Sequence, residues 1–365
     1  MVSLVAGQNQ SGYLAALLES FAGENLPDKS TLTKIRKRIS YTFFQDILSD
    51  LLSTLEPRRI TFQGLRIYAI DGLQLTLPRT DDLISSGFNG RAVSRYRESY
   101  MPKGYFTHCY DVLSGITKDF RFGPKLNEHA DAREMVAGLE KNSLTLYDRL
   151  YWSMKLIRAH FRAGNFFLIR CRKNGVPVEI TKFFSSHKKT QTFTFLGKTL
   201  YLVKIKNEKH KRHDVFVTNL PRALWDLKLL ERLYRLRWEV EQSFRDLTST
   251  LKMEEWHSKS LNGILQELYT SLWLVNFTKS QINYQQKQPE NLLAESYFRP
   301  NFKQAIYFVA SELRRFLKKI RWVYRRLSEL IIKSTEKRTH LKRSYPRQIR
   351  SPRSPYKYNN TRWVF

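Results

Sequence analysis

Short strand-like and helix-like segments alternate between residues 65 and 174, and this order is the strongest constraint on the fold. The runs LRIYAIDG and LQLTLP read as two strands, and YFTHCYDVLSGITKDFRF reads as a hairpin that turns near Ser114-Gly115. The helical patterns NEHADAREMVAGLEK and YWSMKLIRAHFRAG then alternate with the strand-like runs SLTLYD and NFFLIRCRK. This alternation predicts an α/β protein, with a mixed sheet and helices on its faces.

A second group of strand-like runs interrupts the alternation between residues 175 and 218. VPVEITKFF, QTFTFLG, TLYLVKIKN and DVFVTNL follow one another, separated by basic stretches such as SSHKKT and NEKHKRH. Their close spacing predicts an all-β insertion between the last core strand and the next helix.

The stretch YRLRWEVEQSFRDLTSTLK, residues 234–252, has the pattern of one amphipathic helix. Its apolar positions are three or four residues apart, which is typical of a helix with a single apolar stripe. One position behind that stripe runs a second row, which consists of Tyr234, Arg237, Glu241, Arg245, Thr248 and Lys252. Because consecutive positions differ by about 100°, this row lies along one flank of the buried face. Taken alone, Glu241 between two arginines is more typical of a salt-bridged helix surface than of a catalytic group.

The charge balance favours a polyanionic partner. The chain has 63 lysines and arginines against 33 aspartates and glutamates, a net charge of +30. Each cation that meets a phosphate releases a condensed counterion, so nucleic acid is the leading partner and an anionic membrane surface the alternative. From Ser311 to Phe365, 17 Lys or Arg residues stand against three Glu. ELRRFLKKIRWVYRRLSELIIKS in this region predicts one basic amphipathic helix, followed by a Pro-, Ser- and Arg-rich tail.

Hydropathy and cysteine content argue against a membrane or secreted protein. No apolar run reaches the roughly 18 to 20 residues that a spanning helix needs, and no basic segment precedes the first apolar stretch. Cys109 and Cys171 stand in strand-like runs and not in a CxxC pair, which favours buried thiols over a disulfide or a zinc site. We therefore expect a cytoplasmic protein with no membrane association.

Two aspartates stand directly after strand-like runs. Asp71 follows YAI, and Asp148 follows LTLY. Each alone is more typical of a turn or a helix cap, but carboxylates at strand ends also project into the crevice where α/β proteins build sites. Together with Glu241 they form the hard-oxygen ligand set that Mg²⁺ or Mn²⁺ prefers. Two such ions, about 3.5–4 Å apart, would activate an attacking oxygen and stabilise a leaving oxygen in phosphodiester chemistry.

Other titratable groups are interpreted as structural or solvated. Glu128, His129 and Glu134 share one predicted helix and are expected to be surface groups. His210 and His213 lie in a basic loop and lack the further ligands that a metal site needs.

Several short motifs occur in a characteristic order. They are YAIDG, LTLYDRLYWS, FVTNL, the spaced residues Tyr234-x2-Arg237-x3-Glu241 with Trp238, and GILQELYTSLWLVNF. In this order, and with KSTLTKIRKRISYTFF near the N-terminus, the chain resembles the DDE transposases of bacterial insertion sequences. The matching branch has the signature Tyr-x2-Arg-x3-Glu-x6-Lys and belongs to the insertion sequence family four type.

This resemblance implies a fold, a site and a reaction. The fold is RNase H-like, a mixed sheet flanked by helices, with an all-β insertion before the helix of the third acid. The site consists of Asp71, Asp148 and Glu241 as catalytic ligands of two divalent cations, with Tyr234 and Arg237 as contacts to DNA phosphates. The reaction is hydrolytic nicking at the terminal inverted repeats, followed by attack of the freed 3′-hydroxyl on target DNA. Because two ends must be paired, a homodimer on double-stranded DNA is expected.

The predicted organisation has three parts. Residues 1–60, with helical runs over 10–57, form an N-terminal region that contacts DNA or serves as a helical cap with a basic edge. Residues 61–290 form the RNase H-like catalytic domain, which includes the insertion at 175–218. Residues 291–365 form a basic helical C-terminal region and tail.

The chain departs from the signature at its last position. Thr248 stands where lysine is expected, and its hydroxyl is predicted to bind a DNA phosphate oxygen without supplying charge. Arg245 and Lys252, in the same row one turn to either side, are the DNA-binding residues that would replace the missing charge. Two alternatives therefore stay open. One is a catalytically decayed or domesticated DNA-binding derivative that inhibits or regulates transposition, and the other is a general nuclease on the same fold.

Overall fold

The computed structural model describes residues 29–90, 92–94, 97–98, 100–207, 212–285, 298–317 and 322–337. They divide into two compact units. One comprises Arg59–Gln74 and Tyr105–Ser243, and the other is drawn from Met1–Arg58, Leu75–Gly104 and Phe244–Phe365. The predicted helical run over 10–28 and the tail from residue 338 onward lie outside the described residues. Within those residues, no helix is long and apolar enough to cross a membrane.

The described helices and strands are numbered in chain order. The helices are α1 (Lys29–Arg38), α2 (Tyr41–Leu55), α3 (Asp81–Ser85), α4 (Glu128–Ala137), α5 (Met154–Ala163), α6 (Val178–Ser185), α7 (Leu227–Arg235), α8 (Trp238–Arg245), α9 (Leu261–Gln285), α10 (Phe302–Leu317) and α11 (Trp322–Lys333). The strands are β1 (Ile67–Thr76), β2 (Ala92–Ser94), β3 (Arg97–Glu98), β4 (Lys103–Asp111), β5 (Ile116–Gly123), β6 (Leu144–Tyr147), β7 (Phe166–Arg170), β8 (Thr190–Phe195), β9 (Lys198–Asn207), β10 (Arg212–Thr218), β11 (Phe298–Pro300) and β12 (Thr335–Lys337).

One eight-stranded sheet carries the fold, in the order β5-β4-β1-β6-β7-β10-β9-β8. β1, β6 and β7 are parallel neighbours, whereas β4 pairs with β5 and β10 pairs with β7 in antiparallel fashion. All four residues of β6 are buried, which explains why this central strand is a continuous apolar run without alternation. The predicted α/β class and the hairpin formed by β4 and β5 are confirmed.

Helices cover both faces of this sheet. On one face, Cys109 belongs to a buried cluster with side chains of α4, α5 and α6. Because successive strand residues point to opposite faces, His108 projects to the other side, where it contacts Ser243 of α8. Phe216 of β10 also projects to this second face, where it packs against Tyr234 of α7. The predicted RNase H-like arrangement, a mixed sheet flanked by helices, is therefore confirmed.

LRIYAIDG and LQLTLP form the single strand β1, so the prediction of two strands was wrong. Near its end, the Thr76 N–H donates to Glu254 Oε1 (2.7 Å), and Trp256 Nε1 donates to the Thr76 carbonyl (2.7 Å). These partners come from far later in the chain and stabilise the extended backbone beyond Asp71-Gly72. A local turn signal does not reveal them.

The predicted all-β insertion contains a helix, because VPVEITKFF forms α6. Ile180 and Phe183 are buried three positions apart, on one face of that helix. A short run of β-branched and aromatic residues fits a strand as well as a helix. The burial of one face of this run against the sheet determines that it forms a helix. The strands β8, β9 and β10 form as predicted, but they extend the main sheet through the pairing of β10 with β7.

The stretch 234–252 is not one continuous helix. α7 and α8 are joined by a tightened turn, and a π-helix, Asp246–Thr250, follows α8. In the turn, the Arg237 N–H donates to the Tyr234 carbonyl, and the Val240 N–H to the Arg237 carbonyl, each at 3.1 Å. These are i→i+3 bonds of the 3₁₀ type. Apolar residues three or four positions apart occur in α-, 3₁₀- and π-helices alike. The sequence pattern therefore predicts a helical segment but not the points at which the helix type changes.

The second unit is mainly helical in its described part. Arg36 of α1 donates to Gln266 Oε1 (2.9 Å) and Glu267 Oε1 (2.6 Å) of α9. Glu267 is buried and also accepts the backbone N–H groups of His257 and Ser258 (3.0 and 2.9 Å). A buried carboxylate with several donors is well satisfied, and it stabilises α1 against α9. The helical prediction for residues 29–55 is confirmed.

The basic region near the C-terminus contains two helices where the sequence predicts one. α10 and α11 pack against each other, and Glu312 Oε1 lies 3.3 Å from Arg326 Nε. Residues 318–321, between these helices, lie outside the described part of the chain. The amphipathic spacing is the same in α10 and in α11, so the sequence pattern predicts one helix. Residue spacing does not record where one helix ends and the next begins. The predicted domain boundaries after residues 60 and 290 stay a prediction.

Candidate active site

Asp71 and Asp148 lie at corresponding positions on neighbouring parallel strands. β1 and β6 pair with Ala69 opposite Leu146, so Asp71 and Asp148 each stand two residues beyond a paired position. Asp148 is the first residue after β6, and Asp71 lies within β1. Parallel strands bring corresponding residues to the same edge of the sheet, which is where the sequence predicts these two carboxylates to meet.

Arg237 connects Asp71 to Glu241. Its Nη1 lies 3.6 Å from Asp71 Oδ2, and its Nη2 donates to Glu241 Oε1 at 2.9 Å. The Arg237 side chain is 8% exposed, whereas the two carboxylates are each 25% exposed. A single guanidinium therefore forms ion pairs with two acids, one from β1 and one from α8, at an edge that solvent reaches.

The position of α8 depends on contacts with the sheet. Ser243 Oγ lies 3.2 Å from Nε2 of His108 on β4, and Val240 is fully buried. Burial lowers the pKa of His108 to about 3, so its imidazole is neutral and bonds the hydroxyl as a neutral ring. On α7, Tyr234 packs edge to face on Phe216 with the ring centroids 4.6 Å apart. These contacts orient the helical segment that carries Arg237 and Glu241.

The Asp71 carboxyl lies in an environment that disfavours its charge. The pKa of Asp71 is raised from 3.8 to about 6; burial is the largest cause, and the negative charges of Glu128 and Asp148 contribute to the rise. The Gly72 N–H, which donates to Asp71 Oδ1 at 3.0 Å, and Arg237 oppose this rise. The net rise shows that burial outweighs these two stabilising contacts of the charged carboxylate.

A divalent cation fits this donor set chemically. The side chains offer carboxylate oxygens, which Mg²⁺ and Mn²⁺ prefer. Within the described residues, no three His, Cys, Asp or Glu side chains are close enough together to form a metal-binding group. The structure thus brings Asp71 and Glu241 together through Arg237, with Asp148 beside Asp71 on the neighbouring strand.

We expect Asp71→Asn to stabilise the metal-free protein at pH 8 but not at pH 4. A carboxyl whose pKa rises from 3.8 to about 6 on folding contributes stability below pH 3.8 and loses that contribution as pH rises through 6. The neutral amide keeps the shape and avoids the loss. Urea midpoints in EDTA at both pH values measure the effect, with Asp50→Asn on the exposed side of α2 as control. Equal shifts for Asp71→Asn at the two pH values would contradict this explanation.

Residues 63–277, more than half of the chain, match the family model described as the transposase DDE domain. The chain belongs to this family. The predicted resemblance to DDE transposases is thereby confirmed, and the matched region includes both aspartates and Glu241.

Two known proteins are similar to this family member. Transposase InsG for insertion sequence element IS4 of Escherichia coli (strain K12) is 26% identical over 251 residues, which cover 60% of this chain and 52% of InsG. The chain thus spans about half the length of that relative. The cryo-EM structure of the piggyBac transposase synaptic complex with hairpin DNA aligns with a TM-score of 0.43 and 11% identity, over 89% of this chain and 68% of that chain.

Two polar atoms of the family signature are buried without a hydrogen bond to any described residue. They are the Tyr234 hydroxyl and Nε of Arg237. Burial raises the pKa of Tyr234 to about 12, so its hydroxyl stays protonated and able to donate. The Arg237 guanidinium also lies 5.5 Å from the ring of Trp238, which is 56% exposed. An exposed aromatic ring and two orphan donors thus lie next to the acids.

The remaining signature residues differ in their local contacts. Thr248, in the π-helix, donates its hydroxyl to the Phe244 carbonyl at 2.8 Å. Lys252 has a φ of 50° and lies 3.5 Å from Glu255 Oε1, and its side chain is 45% exposed. Arg245 is the last residue of α8. Arg245 lies one turn after Glu241 on α8, whereas the π-helix and the positive φ of Lys252 mean that Thr248 and Lys252 do not continue the row as one straight helix would.

Glu128 was expected on the surface, and the structure places it beside Asp71. Its side chain is half-buried and lies against Gly72, and its charge raises the pKa of Asp71. The sequence holds one signal for this contact, the glycine that directly follows Asp71. A glycine after an aspartate is more typical of a turn, so the sequence does not indicate this contact. Only the position of α4 on the sheet shows that Glu128 lies against Gly72.

Proposed function

We propose that the chain is a DNA transposase that binds the terminal inverted repeats of its mobile element and cleaves and joins DNA with Mg²⁺ or Mn²⁺. The observation that supports it best is Arg237, which connects Asp71 of β1 to Glu241 of α8 within the family-matched region. Two of the proposed ligands, which lie far apart in the sequence, thus pair with the same guanidinium. An acid cluster with a cation at its centre suits phosphodiester chemistry.

In this proposal Asp71, Asp148 and Glu241 bind two divalent cations. When bound, such cations activate the attacking oxygen and stabilise the leaving oxygen of a phosphodiester. Tyr234 and Arg237 orient the scissile strand, because the buried hydroxyl and Nε have no other partner in the described residues. Bidentate guanidinium contacts with phosphate oxygens favour such a role for arginine.

The partners follow from charge and from the reaction. A net charge of +30 favours the phosphate backbone of double-stranded DNA, both at the transposon ends and at the target. InsG is named as the transposase of an insertion sequence element, and an analogous substrate is proposed here. Pairing two ends requires two active sites, so we propose a homodimer on DNA, in the cytoplasm and associated with the nucleoid.

A catalytically decayed derivative is less well supported. It would keep basic surfaces and tolerate loss of the acids, yet Asp71, Asp148 and Glu241 are all retained, with Arg237 between two of them. At the position of the signature lysine the chain has Thr248, whose hydroxyl donates to the backbone of its own helix.

The test is cleavage and strand transfer by the purified full-length chain on DNA that carries the inverted repeats flanking its coding sequence. We expect nicked ends and joined target products with Mg²⁺ or Mn²⁺, and neither product after chelation with EDTA. Cleavage of unrelated DNA at the same rate would indicate a general nuclease. Sequence-specific end binding with no cleavage under any metal condition would support the regulatory derivative.

The same substrates test whether Arg245 and Lys252 replace the missing signature lysine. Alanine at both positions should weaken end binding and reduce its dependence on salt, because each phosphate contact adds about 0.9 to the slope of log K against log salt. Alanine at Thr248 serves as the matched control, since that hydroxyl is bound within the helix. Unchanged binding and cleavage by the double variant would remove both residues from the proposed DNA contacts.

A further inference from the structure

Arg170 ends the third parallel strand of the sheet, in line with the two aspartates. β6 and β7 pair Tyr147 with Ile169, so Asp148 and Arg170 each come one position after a paired residue. Asp71 has the corresponding position on β1, the other neighbour of β6. Neighbouring strands are about 4.8 Å apart, so the backbone of Arg170 lies roughly one strand spacing from Asp148 and two from Asp71. A cation therefore stands beside the two acids at the same edge of the sheet.

The Arg170 side chain lies on the face of the sheet that α7 covers. Arg170 pairs with Phe216 of β10, and residues directly opposite each other in an antiparallel pair project to the same face. Phe216 packs there on the ring of Tyr234. Burial is the largest cause that raises the pKa of Tyr234 to about 12, and the charge of Arg170 is among those that oppose this rise. The guanidinium thus acts on a buried hydroxyl that has no hydrogen-bond partner in the described residues.

Asp214 orients the Arg170 guanidinium and leaves most of its donors available. Arg170 Nη2 donates to Asp214 Oδ1 at 2.8 Å, and the two side chains are 22% and 13% exposed. A guanidinium has five N–H donors, and within the described residues this is the one hydrogen bond that the Arg170 side chain forms. An arginine held in place by one partner is well prepared to bind a phosphate through its other N–H groups.

We propose that Arg170 binds the DNA phosphate that flanks the scissile one, beside Tyr234 and Arg237. The inference rests on the proposed function and adds a DNA-binding residue to the same site. β7 lies on the side of β6 away from β1, so Arg170 reaches a neighbouring phosphate of the strand and not the one next to Asp71. A flanking phosphate keeps its charge throughout the reaction, so this contact stabilises the bound substrate and the transition state equally. Arg170 therefore contributes to the affinity for end DNA and not to the rate of bond breaking.

The test is binding and single-turnover cleavage, by the full-length protein, of a short duplex that carries one inverted repeat. We expect Arg170→Gln to weaken binding about tenfold and to reduce the slope of log K against log salt by about 0.9. At saturating DNA its cleavage rate should stay within about threefold of the wild type. Arg162→Gln is the matched control, because it removes an exposed arginine in the last turn of α5, at the opposite end of β7. Binding by Arg170→Gln as tight as that of the control would overturn the proposal.

Asp214→Asn distinguishes phosphate binding from a purely structural ion pair. It removes the partner but keeps the charge of Arg170, so we expect DNA affinity equal to or above that of the wild type. The double variant Arg170→Gln/Asp214→Asn leaves neither member of the pair charged, so it should fold and still bind DNA as weakly as Arg170→Gln. Circular dichroism melting curves show whether each variant is folded. If Asp214→Asn binds as weakly as Arg170→Gln and the double variant regains wild-type affinity, Arg170 serves only as the partner of Asp214 and the proposal is wrong.

The wild-type protein separates this inference from the proposed function. If it binds and cleaves the ends, and Arg170→Gln does so with the same affinity and salt dependence, the Arg170 contact is wrong and the proposed transposase activity stands. If the wild type shows no preference for the ends over unrelated DNA, the proposed function is wrong, and the inference that rests on it fails as well.

Discussion

We expect Asp71→Asn, Asp148→Asn and Glu241→Gln each to abolish metal-dependent cleavage of end-containing DNA and to leave DNA binding intact. Each substitution removes a negatively charged oxygen but keeps the size of the side chain. Loss of a metal ligand removes several kcal/mol of transition-state stabilisation, and each 1.36 kcal/mol corresponds to about tenfold in rate. We therefore expect rates to fall at least about a thousandfold in single-turnover cleavage assays, with gel-shift affinities within about threefold of wild type.

Glu239→Gln is the matched control for this series. It lies on α8 two positions before Glu241, so it points to a different side of the helix. We expect its cleavage rate to stay close to that of the wild type. Retained cleavage in any one of the three acid variants would exclude that residue from the proposed ligands, and lost DNA binding would indicate a structural defect instead.

We expect Arg59→Met to destabilise the unit that contains the sheet by about 3–5 kcal/mol, because it leaves the buried carboxylate of Asp111 without its counter-ion. Arg59 Nε donates to Asp111 Oδ2 at 2.8 Å, and the two side chains are 1% and 0% exposed. Nη2 of Arg59 also donates to the hydroxyl of Tyr68 at 2.6 Å. Asp111 in turn accepts the backbone N–H of Ser114 at 3.0 Å, which stabilises the β4–β5 turn.

Urea denaturation followed by circular dichroism measures this loss. Arg121→Met is the matched control, because Arg121 pairs with Asp119 on the same sheet but is 40% exposed, and such pairs contribute about 0–1 kcal/mol. Adding Asp111→Asn to Arg59→Met should recover part of the stability by removing the uncompensated charge. A loss below about 1 kcal/mol for Arg59→Met would show that Asp111 finds another partner.

Local patterns predicted most of the sheet correctly. The β4–β5 hairpin, β6, β7 and the helices α4 and α5 follow from periodicity and turn residues, because each has a clear repeat and a clear end. For α5, Ser153 accepts the Leu156 N–H, and Gly164 with a φ of 68° ends the helix. The errors occur where a distant partner decides the structure, as in α6 and in β1 beyond Gly72.

The candidate site was predicted in part. The position of Asp71 and Asp148 after apolar strand-like runs implied that the two acids would meet, and the signature pointed to Glu241 and Arg237. Glu128 was assigned to the surface, because an acid in the first turn of a helix is common there for electrostatic reasons. Whether the three predicted acids bind metal stays a prediction.

The sequence by itself determined most of the strand and helix types of the core, the basic character of the chain and the candidate acids. Each of these depends on the residue types at short, regular spacings, which a linear pattern records. The tertiary structure decided that Arg237 lies between Asp71 and Glu241, that α7, α8 and the π-helix interrupt the predicted single helix, and that Glu128 lies against Gly72. These features depend on contacts between residues far apart in the chain, where packing and charge compensation in three dimensions determine which side chains meet.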